Sequence, residues 1–236
     1  MIRPERCPCS GLLYEKAPRS RLNEIRCSVL NLPAIREARF FAMTIYFTSD
    51  THFGDARRIR VDKRPFKNIG EHDAMLIARW NAVVGPDDDV YHLGDFAVTM
   101  DAVAVESWLA ALNGRKHLIV GNNDSPAVTA SKAWASISYY AELMIDDRFL
   151  VLCHYPFRTW HRSAKGAIDI HGHSHGKLKE LPRQYDVGVD VFDYRPVSLA
   201  EILASRRRGK KEVVVKSVRR SRAAPRKAKT SRKLSK

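Results

Sequence analysis

Two carboxylates, one amide and four imidazoles recur in this chain at points where a β-strand should end. Asp50 and His52 follow a strand read at 44–49, and Asp95 follows 90–92 through Leu93-Gly94. Asn122 follows 116–120, His154 follows 149–153, and His173 and His175 follow 167–171. In open α/β sheets the C-terminal ends of strands are where ligands bind. D-x-H, G-D and H-x-H are each common by chance. Five successive strand ends that each deliver a metal-ligand type are not. Gly94, Gly121 and Gly172 sit beside these residues, where a missing side chain lets backbone approach closely or turn sharply.

The donor set is chemically coherent. Mixed oxygen and imidazole ligation suits Mn²⁺, Fe²⁺/³⁺, Zn²⁺ or Ni²⁺ and not Cu(I). No thiolate joins it, because alternation along a strand turns Cys153 to the face opposite His154. Seven ligands are too many for one catalytic ion with an open position. They suit two ions that share a bridging carboxylate, and two divalent ions outweigh two carboxylates and a hydroxide. The centre therefore stays positive, which favours a phosphate anion.

Asp50-x-His52, Gly94-Asp95, Gly121-Asn122-x-Asp124, His154 and Gly172-His173-x-His175 together resemble the ordered motif series of the calcineurin-like metallophosphoesterases. The likeness spans about 44–200, and YHLGDFA, HYPF, HGHSHG and Arg64-Pro65-Phe66 resemble a small bacterial branch of that superfamily. The resemblance implies a four-layer α/β sandwich, two central mixed β-sheets flanked by helices. It implies that Asp50, His52 and His175 hold one ion, that Asn122, His154 and His173 hold the other, and that Asp95 bridges them. It implies two divalent ions, with Mn favoured among Mn, Fe, Zn and Ni, and hydrolysis of phosphate mono- or diesters by a hydroxide between them.

One position departs from the pattern. The third motif reads Gly-Asn-His-Asp/Glu in the family, its His protonating the leaving group and the acid orienting it. Asn123 stands here in place of that His, beside Asp124. An amide donates a hydrogen bond but transfers no proton near neutral pH. Three readings stay open: another acid serves, with His161, His171 and His92 as candidates in falling order; the leaving groups need no proton; or the chain is a catalytically weakened, metal-bound binding module.

Other residues carry plainer readings. His72 and His117, at a helix start and a strand start, read as surface residues. Arg64 reads as a structural ion pair or a phosphate contact. Arg158, Trp160 and His161 lie between two ligand strands, in a loop that lines the pocket or packs over the sheet edge.

The elements that must position these groups alternate at first. After the strand at 44–49, Leu76, Ile77, Trp80, Val83 and Val84 follow helical spacing within 71–84, stopped by Gly85-Pro86. Val105, Trp108, Leu109 and Leu112 mark a second helix, and 127–135 a short third. Strands follow at 137–145, 149–153, 167–171 and 186–191, and a last helix at 198–207. Early βαβα units followed by strands predict layered sheets with helices outside.

The 236 residues, 44% apolar and 28% charged, exclude a collagen, a disulfide miniprotein and a wholly disordered chain. No apolar run reaches the ~18 residues that a membrane helix needs. Four cysteines without a secretory signal fit a reducing cytoplasm. The net charge of +15 is unevenly placed. Residues 206–236 carry 15 Lys/Arg against Glu212 alone, whereas 43–205 hold 18 Lys/Arg against 21 acids and all nine His. The middle segment, 43–205, reads as a mildly acidic domain, which the resemblance makes the metallophosphoesterase domain, and 206–236 as a basic disordered tail able to contact nucleic acid non-specifically through counterion release. Met43 opens MTIYFTSDTHF, which reads as a natural start, with 1–42 as a disordered or partly helical extension. Cys7 and Cys9 have no second pair at zinc-site spacing.

Overall fold

A computed structural model of the chain describes residues 43–179 and 181–205. The readings placed on 1–42 and on 206–236, the nucleic-acid contact included, lie outside the described residues. In chain order the elements are β1 (Ile45–Thr48), α1 (Ala56–Val61), α2 (Ile69–Asn81), β2 (Asp89–His92), α3 (Ala102–Ala111), β3 (Arg115–Ile119), α4 (Pro126–Thr129), β4 (Ser136–Ser138) and β5 (Tyr140–Ile145). There follow β6 (Arg148–Cys153), a 3₁₀ turn at Ser163–Lys165, β7 (Ile168–His171), β8 (Gln184–Asp186), β9 (Val197–Ser198) and α5 at 199–205.

Two mixed sheets form, as the resemblance implies. The first has the order β4-β3-β2-β1-β9, with β1 to β4 parallel and β9 antiparallel to β1. The second has the order β5-β6-β7-β8, with only β5 antiparallel. Alternation along the strands builds two cores. Val90 and Leu118 face Leu76 and Trp80 of α2 and Val105 and Leu109 of α3. Phe47 and Ile119 face Leu150, Leu152, Ile168 and Ile170 of the second sheet, and Leu199 and Ile202 of α5 close that layer. Burying each such side chain contributes about 1.5–3 kcal/mol, so the first core holds the helices on the first sheet and the second holds the sheets face to face. Over the outer face of the second sheet runs 155–167 with its 3₁₀ turn. Gln184 Nε2 donates to Phe157 O (2.6 Å), and the Arg162 guanidinium lies 4.7 Å above the Phe149 ring.

Local chemistry accounts for the helix bounds. The Asn68 side chain accepts from Glu71 N (2.9 Å) while Glu71 Oε2 accepts from Lys67 N (2.8 Å), a reciprocal cap that starts α2. The Asp101 side chain caps α3 by accepting from Val103 N and Ala104 N.

Several elements differ from the sequence reading; the strand expected at 186–191 is β8 at Gln184–Asp186, and β9 was not foreseen. The strand expected at 137–145 is two strands in different sheets: Ile137 pairs with Leu118, whereas Leu143 pairs with Leu150. Apolar alternation continues through the exposed Tyr139, so the pattern hides the crossing. The helix expected at 127–135 ends at Thr129, because Trp134 turns back to donate to Val128 O (3.0 Å). Helix α1 has no buried residue and so no apolar signature; the Asp55 side chain caps it through Arg57 N (3.1 Å).

Candidate metal centre

Beyond the strands, the backbone keeps pairing and then twists. Asp50 N donates to Gly94 O (3.0 Å), His52 N to Asp95 O (3.0 Å) and Phe53 N to Phe96 O (2.8 Å). Val189 N donates to Ser49 O (3.0 Å), which brings the segment after β8 against the end of β1. Asp50, His52, Asp95, His173 and His175 all adopt positive φ, between 48° and 68°. For residues with a side chain this costs on the order of 1–3 kcal/mol each, and such strain gathers at functional sites. Close approach makes the bend possible: a Cβ on Gly94 (φ 87°) would lie 2.6 Å from both Gly121 N and His154 Nδ1. One on Gly172 would lie 2.7 Å from Asp50 Oδ2.

The strand ends gather the candidate ligands into two groups. Asp50, His52 and His175 form one, and Asp95, His154 and His173 the other, each with one ligand atom per residue within 4.8 Å of the rest. Asp95 faces both groups. Its Oδ2 lies 3.5 Å from His52 Nε2 and its Oδ1 lies 3.5 Å from His154 Nε2. Asn122 Oδ1 lies 3.2 Å from the same His154 nitrogen. All seven residues singled out as ligands therefore converge.

The donors fit a cation. His154 Nδ1 donates to Leu93 O (2.7 Å) and His175 Nδ1 to Asp190 Oδ2 (2.7 Å), which leaves both Nε2 lone pairs free. His52 is fully buried, and neither of its ring nitrogens has a hydrogen-bond partner. A buried polar group left unpaired costs about 1–3 kcal/mol, so an ion at this point relieves a real deficit. Burial pushes Asp50 up to about 6 and holds His52 well below the ordinary histidine range. Burial opposes charge on His175 too, but the bond to Asp190 raises it above its ordinary value. His173 is lowered, first by burial and then by His154. Burial thus holds both Asp50 and His52 toward their neutral forms.

Around the ligands stand residues of two kinds. Asp124 accepts the backbone N–H groups of Asp95 (3.0 Å), Phe96 (2.7 Å) and Gly121 (2.8 Å), which fixes two strand ends at once. Asn123 donates from its backbone to Asp95 Oδ1 (2.8 Å) and from Nδ2 to Asp95 Oδ2 (2.6 Å). Asn123 and Asp124 therefore both brace the carboxylate that faces the two groups.

Of the candidate acids, His92 and His171 end β2 and β7, and His161 lies elsewhere. His161 bonds Glu142 (2.8 Å) and packs on Phe149, over the outer face of the second sheet, because the 155–167 segment folds across that face. Trp160 donates to Ala167 O (3.0 Å) in the same segment. His171 is buried in β7, its Nδ1 donating to Gly172 O (2.8 Å). His92 bonds Thr51 Oγ1 (3.0 Å), packs on Phe96 and Trp134, and is lowered by burial to about 3.

Two plainer readings are corrected. His72 is fully buried on α2 between Arg64 and Asp73. His117 is largely covered, bonded to Ser136 and Asp89 and stacked on Tyr91. Both were misread because a position at an element's start does not report what the loops before it cover. Arg64 resolves to a buried ion pair with Asp190. Asp190 was missed altogether. The strand expected at 186–191 enclosed Asp190, whereas β8 is Gln184–Asp186 and leaves Asp190 in the segment beyond it.

An α/β sandwich with an acid- and imidazole-lined mouth at its strand ends is thus the class that fold and site define. No family model matches the chain. It is 35% identical over 174 residues to an uncharacterized protein, MJ1445, of the archaeon Methanocaldococcus jannaschii, covering 70% of this chain and 93% of that one. It is 30% identical over 190 residues to the Gene 66 protein of Mycobacterium phage L5, covering 66% and 91%. The solved structure of AQ665 from Aquifex aeolicus, a protein of unknown function, aligns with a TM-score of 0.56 at 25% identity, over 68% of this chain and 98% of that one. The chain belongs to the family that the archaeal and phage proteins represent.

Proposed function

We propose that this protein is a dinuclear metal-dependent phosphoesterase acting on phosphate mono- or diesters. The observation that carries the reading is Asp95, whose two oxygens stand 3.5 Å from an imidazole nitrogen of each group. Asp50, His52 and His175 would hold one ion, and Asn122, His154 and His173 the other. Two divalent ions there supply Lewis acidity: they make a water acidic near neutral pH and offset charge developing on a phosphoryl group.

The protein's own residues do the rest. Asn122, His173 and Tyr155 are exposed, whereas Asp50 and His52 are buried, so a substrate approaches from the side of the second group. Asn123 and Asp124 hold Asp95 in place. Nothing about Asn123 gives up a proton, and its amide is engaged by Asp95. Esters with acidic leaving groups are therefore the favoured substrates, as they depart without protonation.

The same engagement of Asn123 supports a second reading, a metal-bound module that binds a phosphorylated ligand without turning it over. Metal analysis of the purified chain, with a panel of aryl and alkyl phosphate mono- and diesters assayed in Mn²⁺, decides between them. Two ions and turnover of aryl esters support the enzyme. Two ions with no turnover of any ester, yet saturable phosphate binding, support the module. A protein that takes up no divalent ion overturns both.

A further inference from the structure

We propose that the buried Arg64–Asp190 pair is the positioning device of the first ligand group, and that it makes that group the tighter of the two ion sites. This inference rests on the dinuclear reading above. The Arg64 side chain is 0% exposed although it is charged. Its guanidinium grips Asp190 with two bonds, Nε to Oδ1 (2.9 Å) and Nη2 to Oδ2 (2.8 Å). The same planar group donates to the carbonyls of Asp50 (2.7 Å) and Thr51 (2.9 Å). Asp190 Oδ2 in turn receives the His175 Nδ1 proton (2.7 Å).

One guanidinium therefore ties together all three members of the group. Asp50 and His52 are held through the backbone between them, and His175 through the shared carboxylate. His72 completes the arrangement. Its Nδ1 donates to Asp73 Oδ1 (2.7 Å), which leaves Nε2 to accept from Arg64 Nη1 (2.7 Å). The rigid fork of arginine meets these acceptors simultaneously, which a lysine ammonium on a flexible stem does not.

The second group is held differently. Asp124 fixes the backbone near Asp95, and Leu93 O orients His154. His173 is exposed, and its ring packs on the rings of His154 and Tyr155, contacts that do not fix its nitrogens. A preformed, braced ligand set loses less freedom when it takes up an ion than a set with an unrestrained imidazole.

The test uses the full chain loaded with Mn²⁺ and titrated with a chelator, with bound metal counted at each step. The wild type should release its ions in two steps, and His173→Ala should remove the weaker step. Asp190→Asn places amide hydrogens where Arg64 and His175 need an acceptor. It should weaken the tighter step by about 10–100-fold, the usual cost of losing a ligand's outer partner, and leave the weaker step unchanged. Asp190→Glu should recover part of the loss, and Arg64→Lys should behave as Asp190→Asn. A role in folding alone would lower the melting temperature and move both steps together. If Asp190→Asn fails to fold because Arg64 is left buried and unpaired, the double variant Arg64→Met/Asp190→Leu removes both charges and is titrated in the same way. A wild type that holds no metal overturns the dinuclear reading. A wild type with two ions, and folded variants that keep both with unchanged affinity, overturn the positioning role alone.

Discussion

Aspartate and histidine gather at both ends of the first sheet, and the two ends differ in what those side chains meet. At the start of β2 and β3, Asp89 receives Arg115 Nε (2.6 Å) and Nη2 (2.8 Å) in a bidentate pair, with His117 Nε2 at 3.2 Å. His117 also bonds Ser136 and stacks on Tyr91. At the other end, Asp50, His52 and Asp95 are as deeply buried, but His52 has no partner and all three backbones are at positive φ. One end has used its bonding capacity to hold strands together. The other keeps capacity unspent in a strained backbone. An abundance of ligand-type residues therefore does not define a site; unpaired buried donors, held there by strain, do.

The sharpest way to break this contrast is Asp95→Asn. The substitution removes charge facing both ligand groups and leaves the shape unchanged. Both ions should be lost together, and phosphoesterase activity should fall by more than the ~10–100-fold expected for an outer partner. Metal counting alongside turnover of an aryl phosphoester checks it. His52→Ala should remove one ion and spare the other. Small, equal losses in the two variants would show that Asp95 is not shared.

Much of the candidate site was legible in the sequence, because ligand-type residues at strand ends are short-range signals. Asp50-x-His52, Gly94-Asp95 and Gly172-His173-x-His175 need only a strand before them, and β1 and β6 are short runs rich in apolar residues. What escaped was long-range. Arg64 and Asp190 are 126 residues apart, and neither shows by its neighbours that it meets the other inside the protein. The same holds for His72, whose burial depends on Arg64, and for the break at Tyr139, where two half-strands pair with different sheets. Periodicity reports that a face is buried, but not against what.

The next prediction sharpens the account of the candidate site at Asn123. General acid catalysis contributes about 10²–10⁴-fold, and only where the leaving group needs a proton. The wild type should thus cleave aryl phosphoesters far better than alkyl ones. Asn123→His restores a group able to carry a proton while keeping the backbone bond to Asp95 Oδ1. Alkyl turnover should rise by roughly tenfold or more, and aryl turnover should barely change. Metal content must be followed in parallel, since the Nδ2 bond to Asp95 is lost. If alkyl esters already react well and the variant changes nothing, another group delivers the proton. His171→Ala would then be the first variant to examine.

The smallest effect belongs to the satisfied end. Arg115 holds Asp89 below its ordinary carboxylate value, chiefly through its hydrogen bonds, and burial opposes this. A carboxyl whose folded value is depressed binds fewer protons folded than unfolded. Its stabilisation is therefore present above its unfolded value of 3.8 and is lost as pH falls through the lower folded value. Arg115 is 60% exposed, so solvent screens much of the attraction. Asp89→Asn should accordingly lower the melting temperature by only about 2–4 °C near neutral pH, and the gap to the wild type should close as the pH drops below 4. Metal content and turnover should not move. Melting curves from pH 3 to 8, paired with metal analysis, check all three points. A loss of bound metal in Asp89→Asn would mean that the two ends of the sheet are coupled, and the division between a structural end and a chemical end would not stand.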